Sequence, residues 1–216
     1  MDGGVIDGGW YLDVAGFARS TPWLHGFFEV YTDAGLVLLA VLVAVVWWRA
    51  RGEPAEVMAA VLWVPLGVLL AYGLSNLVKV LVREPRPCLR YPRVPTVAPC
   101  DFATDYSFPS NHVVFAVSAA VGLLLVAWRV GLLALALAVL VAFSRVYLGA
   151  HYPHDVLAGV LLGAAVACCG LLLRRPLTAL VVRGRAGRMS RLVGTVERVP
   201  GAVRGDRSAD RVLPAR

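Results

Sequence analysis

The chain has 216 residues, 59% of them hydrophobic and only 16% charged, with a mean hydropathy of +0.71. That balance excludes an ordinary water-soluble domain, and the length suits one compact helical membrane domain with no second globular module. The formal net charge of +7 does not point to nucleic acid, because eleven arginines crowd into the 43 residues from Arg174 to Arg216, a basic tail suited to anionic lipid.

In chain order, residues 1–25 are rich in Gly and Asp and lack both a basic start and a continuous apolar core, so no cleavable signal peptide is expected. Within them Trp10 to Ala18 is too polar to span a membrane but suits an interfacial helix. Five apolar stretches follow, at about Gly26–Trp48, Val57–Lys79, Ser110–Trp128, Val130–Tyr147 and Pro153–Leu173. Each is close to the ~20 residues needed to cross ~30 Å of hydrocarbon. Pro65 predicts a kink in the second. Residues 176–216 form the basic tail, and their low hydrophobic periodicity predicts disorder. The expected fold is an all-α polytopic bundle of five membrane helices, six counting the interfacial one. Its parts are the N-terminal segment 1–25, the membrane domain 26–175 and the tail.

Consecutive spans alternate in direction, which sorts their ends onto two faces. Arg49, Arg51, Arg129, Arg174, Arg175 and the tail share one face, cytoplasmic by the excess of positive charge. The acidic N-terminus (Asp2, Asp7, Asp13) and the loops 80–109 and 148–152 fall on the other. The long loop carries Arg83, Arg86, Arg90 and Arg93 against that rule, so its charges read as functional.

Lys79 is the one lysine among 21 basic residues, and it ends the second span. His112 opens the third, Arg145 lies near the end of the fourth and Asp155 opens the fifth, so alternation places all four on one face. Ionisable groups in or near spans mark function by default. Lys79, Arg86 and Arg145 supply three cations; arginine offers a planar fork for phosphate oxygens, lysine a point charge. Pro85 and Pro87 stiffen the backbone around Arg86. Ser110 suits the N-cap of the third span, where free N–H groups attract an anion. His151 precedes Asp155 by four residues, so the carboxylate can hold one ring nitrogen and leave the other nucleophilic. Two imidazoles, a carboxylate and several cations suit phosphoryl transfer through phosphohistidine. The cations make a metal unnecessary, and no carboxylate cluster fit for Mg²⁺ is expected on this face.

The run Lys79-x6-Arg86-Pro87, then Pro109-Ser110-Asn111-His112, then Ser144-Arg145-x5-His151-x3-Asp155 resembles the three-part signature of the type 2 phosphatidic acid phosphatase (PAP2) superfamily. That superfamily includes vanadium haloperoxidases and bacterial undecaprenyl pyrophosphate phosphatases. The resemblance implies His151 as nucleophile, Asp155 as its orienting partner and His112 as general acid. It implies Lys79, Arg86, Ser110, Asn111 and Arg145 as the phosphate-binding set. The family usually has Gly where Asn111 stands; Asn is the side chain best able to tolerate φ > 0 there. His154 falls at a variable position of the third motif and reads as an interfacial histidine without a catalytic role.

The expected activity is cofactor-free and metal-independent removal of phosphate from a lipid phosphate, with a polyprenyl pyrophosphate such as undecaprenyl pyrophosphate as the favoured substrate. Arg83, Arg90 and Arg93 are candidates to hold a second phosphate. Phosphatidate or phosphatidylglycerol phosphate hydrolysis, lipid-linked phosphotransfer and anion transport without chemistry are the alternatives. The expected partners are the lipid substrate and membrane lipids, with no nucleic acid. The expected location is the cytoplasmic membrane, with the active site outside and the C-terminus inside. Cys88 and Cys100 in the outer loop form either a disulfide or two free thiols, and Cys168 and Cys169 read as small apolar residues of the last span.

Overall fold

The computed structural model describes residues 3–100, 105–187 and 189–195. Asp2 and the tail from residue 196 onward lie outside the described residues. The described chain is helical without strands. Helix α1 (Gly8–Ser20) precedes the membrane helices α2 (His25–Ala50), α3 (Ala55–Val82), α4 (Asn111–Val126), α5 (Trp128–Tyr147) and α6 (Pro153–Leu172), and α7 (Arg174–Arg185) follows them. Helices α2, α3, α5 and α6 are long and apolar enough to cross a membrane, whereas α4 has 16 residues. At 1.5 Å per residue α4 reaches about 24 Å, short of a ~30 Å hydrocarbon layer, so one of its ends is recessed. Helix α3 continues through Pro65 without a break.

Many large apolar side chains face outward, among them Leu69, Leu81, Val139 and Leu161, as a lipid-facing surface requires. The buried core is built from smaller residues. Val113, Ala116, Ala120 and Leu123 of α4 meet Val61 and Val64 of α3 and Ala134, Ala138 and Val141 of α5. Small residues let membrane helices approach closely where no water drives them together. Helices α4 and α6 approach closely. A Cβ added at Gly163 would lie 2.8 Å from Val114 O and 3.0 Å from Ser118 N, and one at Gly159 would lie 3.1 Å from Ser110 O.

Both terminal segments pack against the membrane domain, the first as a helix where one was expected and the second as a helix where disorder was expected. The N-terminal segment packs into the membrane domain: Tyr11 is fully buried, stacks on Tyr91 and directs its hydroxyl to Gly149 O at 3.5 Å. The tail is ordered and helical in its first part. Val181 of α7 and Val193 beyond it join the main core, and Arg185 donates to Val193 O and Glu53 O. An apolar stripe on an otherwise basic helix is the reason: Leu177 and Val181 are covered while the arginines stay outside.

Candidate active site

Four helix ends and two loops build the site. Lys79 lies one turn before the end of α3, where Arg83 adopts a left-handed φ of 53° and returns its N–H to Lys79 O. The buried Lys79 ammonium donates to Tyr106 O and, at 3.3 Å, to Ser107 O. Arg86 stands in extended backbone ahead of Pro87. Its guanidinium donates to Ala150 O at 3.0 Å and Asp105 O at 3.1 Å, and pairs with the Asp105 carboxylate. Cys88 and Cys100 are joined by a disulfide in the same loop.

Ser110 occupies the N-cap position of α4 but makes no side-chain cap; its N–H donates to Asp155 O at 3.1 Å. The Ser110 hydroxyl and Arg145 Nε are both buried with no hydrogen-bond partner among the described residues. Asn111 does not need the left-handed tolerance expected of it, because among the described residues Arg83 alone carries a side chain at positive φ. Instead Asn111 opens α4, accepts a hydrogen bond from Ser75 and donates to Asn76 Oδ1 at 2.9 Å. A side chain at this position therefore ties α4 to α3. His112 Nε2 lies 3.0 Å from Asp33 Oδ1.

Arg145, on the last turn of α5, donates from Nη1 to Thr32 Oγ1 at 2.8 Å. The chain then folds back so that the N–H groups of Ala150 and His151 both donate to Arg145 O. Gly149 makes that turn at φ +80°, with the Thr96 methyl 2.5 Å from where a Cβ would stand. Pro153 starts α6, and the Asp155 carboxylate reaches back to accept from Tyr152 N at 2.8 Å. The same oxygen, Oδ2, lies 3.3 Å from His151 Nδ1.

Lys79, Arg86, Asn111, His112, Arg145 and His151 line one cavity of about 480 Å³, with Leu36, Tyr72 and Phe115 giving it an apolar side. Ser110 and Asp155 stand behind that lining, and Arg83, Arg90 and Arg93 are not part of it. His151 is 2% exposed. Burial first, and then the nearby Arg145, Arg86, Lys79 and His112, hold its imidazole well below the ordinary value, so it is neutral at pH 7. With Nδ1 protonated toward Asp155, Nε2 keeps its lone pair.

The sequence reading missed several partners. Asp33 and Thr32 lie inside the first apolar stretch, where a carboxylate is itself a signal. Asn76 and Asp105 gave none. The largest departure concerns His154, expected to be a bystander, and the acidic cluster expected to be absent. Asp7, Glu84 and Asp155 surround His154, and the donor atoms of Glu84, His154 and Asp155 lie within 4.8 Å of one another. Both His154 ring nitrogens already face carboxylates.

The PAP2 superfamily profile matches residues 60–178, more than half of the chain. The chain is 47% identical to an undecaprenyl-diphosphatase of Sulfolobus acidocaldarius over 68 residues, 30% of this chain and only 32% of that protein. It is 37% identical to a decaprenylphosphoryl-5-phosphoribose phosphatase of Mycobacterium tuberculosis over 133 residues, 61% of this chain and 67% of that protein. The crystal structure of LpxE from Aquifex aeolicus superposes with a TM-score of 0.60 at 25% identity, covering 74% of this chain and 94% of that one.

Proposed function

From the membership of this chain in the PAP2 superfamily, we propose that it is a membrane lipid phosphatase that hydrolyses a polyprenyl pyrophosphate, undecaprenyl-pyrophosphate-like, through a phosphohistidine on His151. The observation that carries this reading is the pairing of buried, neutral His151 with Asp155 beside a cavity lined by Lys79, Arg86, Arg145 and His112. His151 Nε2 forms the P–N bond as the bond from phosphorus to the leaving oxygen breaks, and His112 gives that oxygen a proton. Water then attacks the phosphohistidine, His112 takes the proton back from it, and inorganic phosphate leaves. The three cations, with the buried Ser110 hydroxyl and the N-terminus of α4, stabilise charge on the equatorial oxygens.

The apolar surroundings favour a lipid over a soluble phosphate ester. Phe115 lines both the polar cavity and a separate apolar cleft of about 430 Å³ that runs along α2 and α3 past Val43, Trp47 and Val68. The names of both relatives above contain a polyprenyl-linked phosphate compound, an undecaprenyl diphosphate and a decaprenylphosphoryl-5-phosphoribose. The distribution of arginines supports an extracytoplasmic site and a cytoplasmic C-terminus.

The test is phosphate release from a panel of undecaprenyl pyrophosphate, a polyprenyl monophosphate, phosphatidate and phosphatidylglycerol phosphate. Wild type should favour the pyrophosphate, retain activity in excess EDTA and be inhibited by vanadate. His151→Ala should release no phosphate above background. Full activity in that variant, or loss of wild-type activity in EDTA, would overturn the mechanism; preference for a glycerolipid would reassign the substrate.

A further inference from the structure

His154 is tied into the protein more tightly than a bystander needs to be. Its backbone N–H donates to Asp7 Oδ2 at 2.6 Å, and Nδ1 lies 2.9 Å from Asp7 Oδ1. Nε2 lies 3.2 Å from both oxygens of Glu84 and 3.5 Å from Asp155 Oδ1. The ring stacks between Phe108 and Tyr152, at centroid distances of 5.9 and 5.4 Å. Carboxylates accept hydrogen bonds and do not donate them, so each of these contacts requires a proton on the ring nitrogen involved. The geometry therefore describes an imidazolium. Three segments far apart in sequence meet on it: the start of α1, the loop after α3 and the start of α6.

The partners explain what such a cation is for. Glu84 and Asp155 are both fully buried, and a buried carboxylate is expensive unless a cation faces it. Asp155 Oδ2 is occupied by Tyr152 N and His151 Nδ1. Asp155 Oδ1 is buried and has no hydrogen-bond partner among the described residues; the His154 ring nitrogen lies 3.5 Å away. Glu84 faces the same ring nitrogen as Asp155, the donor atoms of the three residues lying within 4.8 Å of one another, and it repels Asp155. If His154 lost its charge, two buried carboxylates would face each other, and a proton shared between them would relieve the repulsion. Asp155 would then no longer be a dependable acceptor for His151 Nδ1–H, and the nucleophilic tautomer would be lost.

We infer that His154, clamped by Asp7 and Glu84, is a positioning residue that keeps Asp155 ionised and thereby keeps His151 in its nucleophilic tautomer. This rests on the reading of His151 as the nucleophile. His154 is not among the residues that line the catalytic cavity, and its ring faces Asp155 Oδ1.

The experiment is a double-mutant cycle of His154→Gln and Glu84→Gln, read as kcat and KM for phosphate release from undecaprenyl pyrophosphate in detergent micelles. Wild type and His151→Ala run alongside: an inactive wild type, or an active His151→Ala, refutes the parent reading and not this one alone. His154→Gln should lower kcat by about tenfold to a hundredfold, the scale on which outer hydrogen-bond partners act, with KM within about threefold of wild type. His154→Gln/Glu84→Gln should recover at least about fivefold of that loss, because the carboxylate repulsion is gone. A merely structural role predicts the opposite, with the second substitution adding to the damage. Wild-type kcat in His154→Gln, or no recovery in the double variant, overturns the proposal. So does activity that EDTA abolishes in wild type and leaves untouched in His154→Gln, which would assign the cluster to a metal ion. If His154→Gln alone gives no folded protein, the double variant is compared with wild type directly. A kcat within about tenfold supports the proposal, and a kcat at the His151→Ala level overturns it.

Discussion

Gly163→Ala tests whether the close approach of α4 and α6 sets the geometry of the site. The added Cβ would meet two backbone atoms of α4, Val114 O at 2.8 Å and Ser118 N at 3.0 Å, neither of which can rotate away. Ordinary contact begins near ~3.4 Å, so the helices must part by roughly 0.6 Å. Helix α4 carries His112 and α6 carries Asp155, and the bond between Ser110 N and Asp155 O spans the two. A 1 Å misplacement at a reacting centre costs about 10²-fold, so a shift of this size should lower kcat by about tenfold. Overpacking should also cost about 1–3 kcal/mol of stability. Gly73→Ala on α3 is the control, because a Cβ there meets nothing within 4 Å. The assay is phosphate release in mixed micelles, together with thermal unfolding followed by tryptophan fluorescence. Equal kcat within twofold and equal Tm for the two variants would refute the reasoning.

The depressed basicity of His151 predicts that kcat/KM holds on acidification until below pH ~6.5, the ordinary value for histidine, where an unperturbed nucleophile would already be half protonated. The unfolded chain takes up this proton at higher pH than the folded one. The contribution of His151 to stability is therefore intact above pH ~6.5 and shrinks as pH falls from there toward the folded value. The Tm of wild type should fall more steeply in that window than that of His151→Gln, and parallel curves would remove the argument from burial. The Asp33 side chain is 78% exposed, unlike the buried Asp155 that faces His151. Asp33→Asn should lower kcat by no more than about tenfold, whereas His112→Gln should lower it by about 10²–10⁴-fold; equal losses would show that Asp33 does more than orient the ring. Replacing Cys88 and Cys100 by Ser opens a loop with a sequence separation of 12 and should cost about 3 kcal/mol by chain entropy, read as a lower Tm. An unchanged Tm would mean that the loop is held by its other contacts.

The parts of the molecule legible in the sequence are those governed by short-range rules. Apolar runs fix the helices to within a few residues, and alternation brings Lys79, His112, Arg145 and the region of His151 to one end because a span can only reverse direction. The i, i+4 spacing of His151 and Asp155 across Pro153 is equally local. What escaped depends on long-range packing. Nothing near Asp7 in sequence announces that it satisfies an N–H at the start of α6, 147 positions away. Arg83, Arg90 and Arg93 share the loop of Arg86 and yet stay outside the cavity, because the turn at Arg83 ends α3 and the Pro-Arg-Pro segment directs Arg86 alone across to Ala150 O. The ordered start of the tail was hidden by composition: four arginines interrupt its apolar residues, but Leu177 and Val181 fall on one face of α7.

Charge alternates outward from the reacting nitrogen. Lys79, Arg86 and Arg145 stand at the cavity, neutral His151 comes next, then Asp155, then His154, whose Nε2 faces Glu84 together with Asp155 and whose Nδ1 faces Asp7. Each layer gives the next a reason to be charged or neutral in a region with little water. Burial, and then the cations on the cavity side, keep His151 unprotonated, which alone would leave it free to rotate and to exchange tautomers. Asp155 fixes it, at the expense of burying a carboxylate close to Glu84, and His154 compensates both. Cations on the cavity side of the nucleophile and a cation behind its carboxylate therefore act in opposite senses on the same imidazole: the first deny it a proton, and the second secures the partner that holds its one remaining N–H. Substitutions on the two sides should accordingly separate in kinetics, with Arg145→Gln acting on substrate binding and kcat together and His154→Gln acting on kcat with KM held.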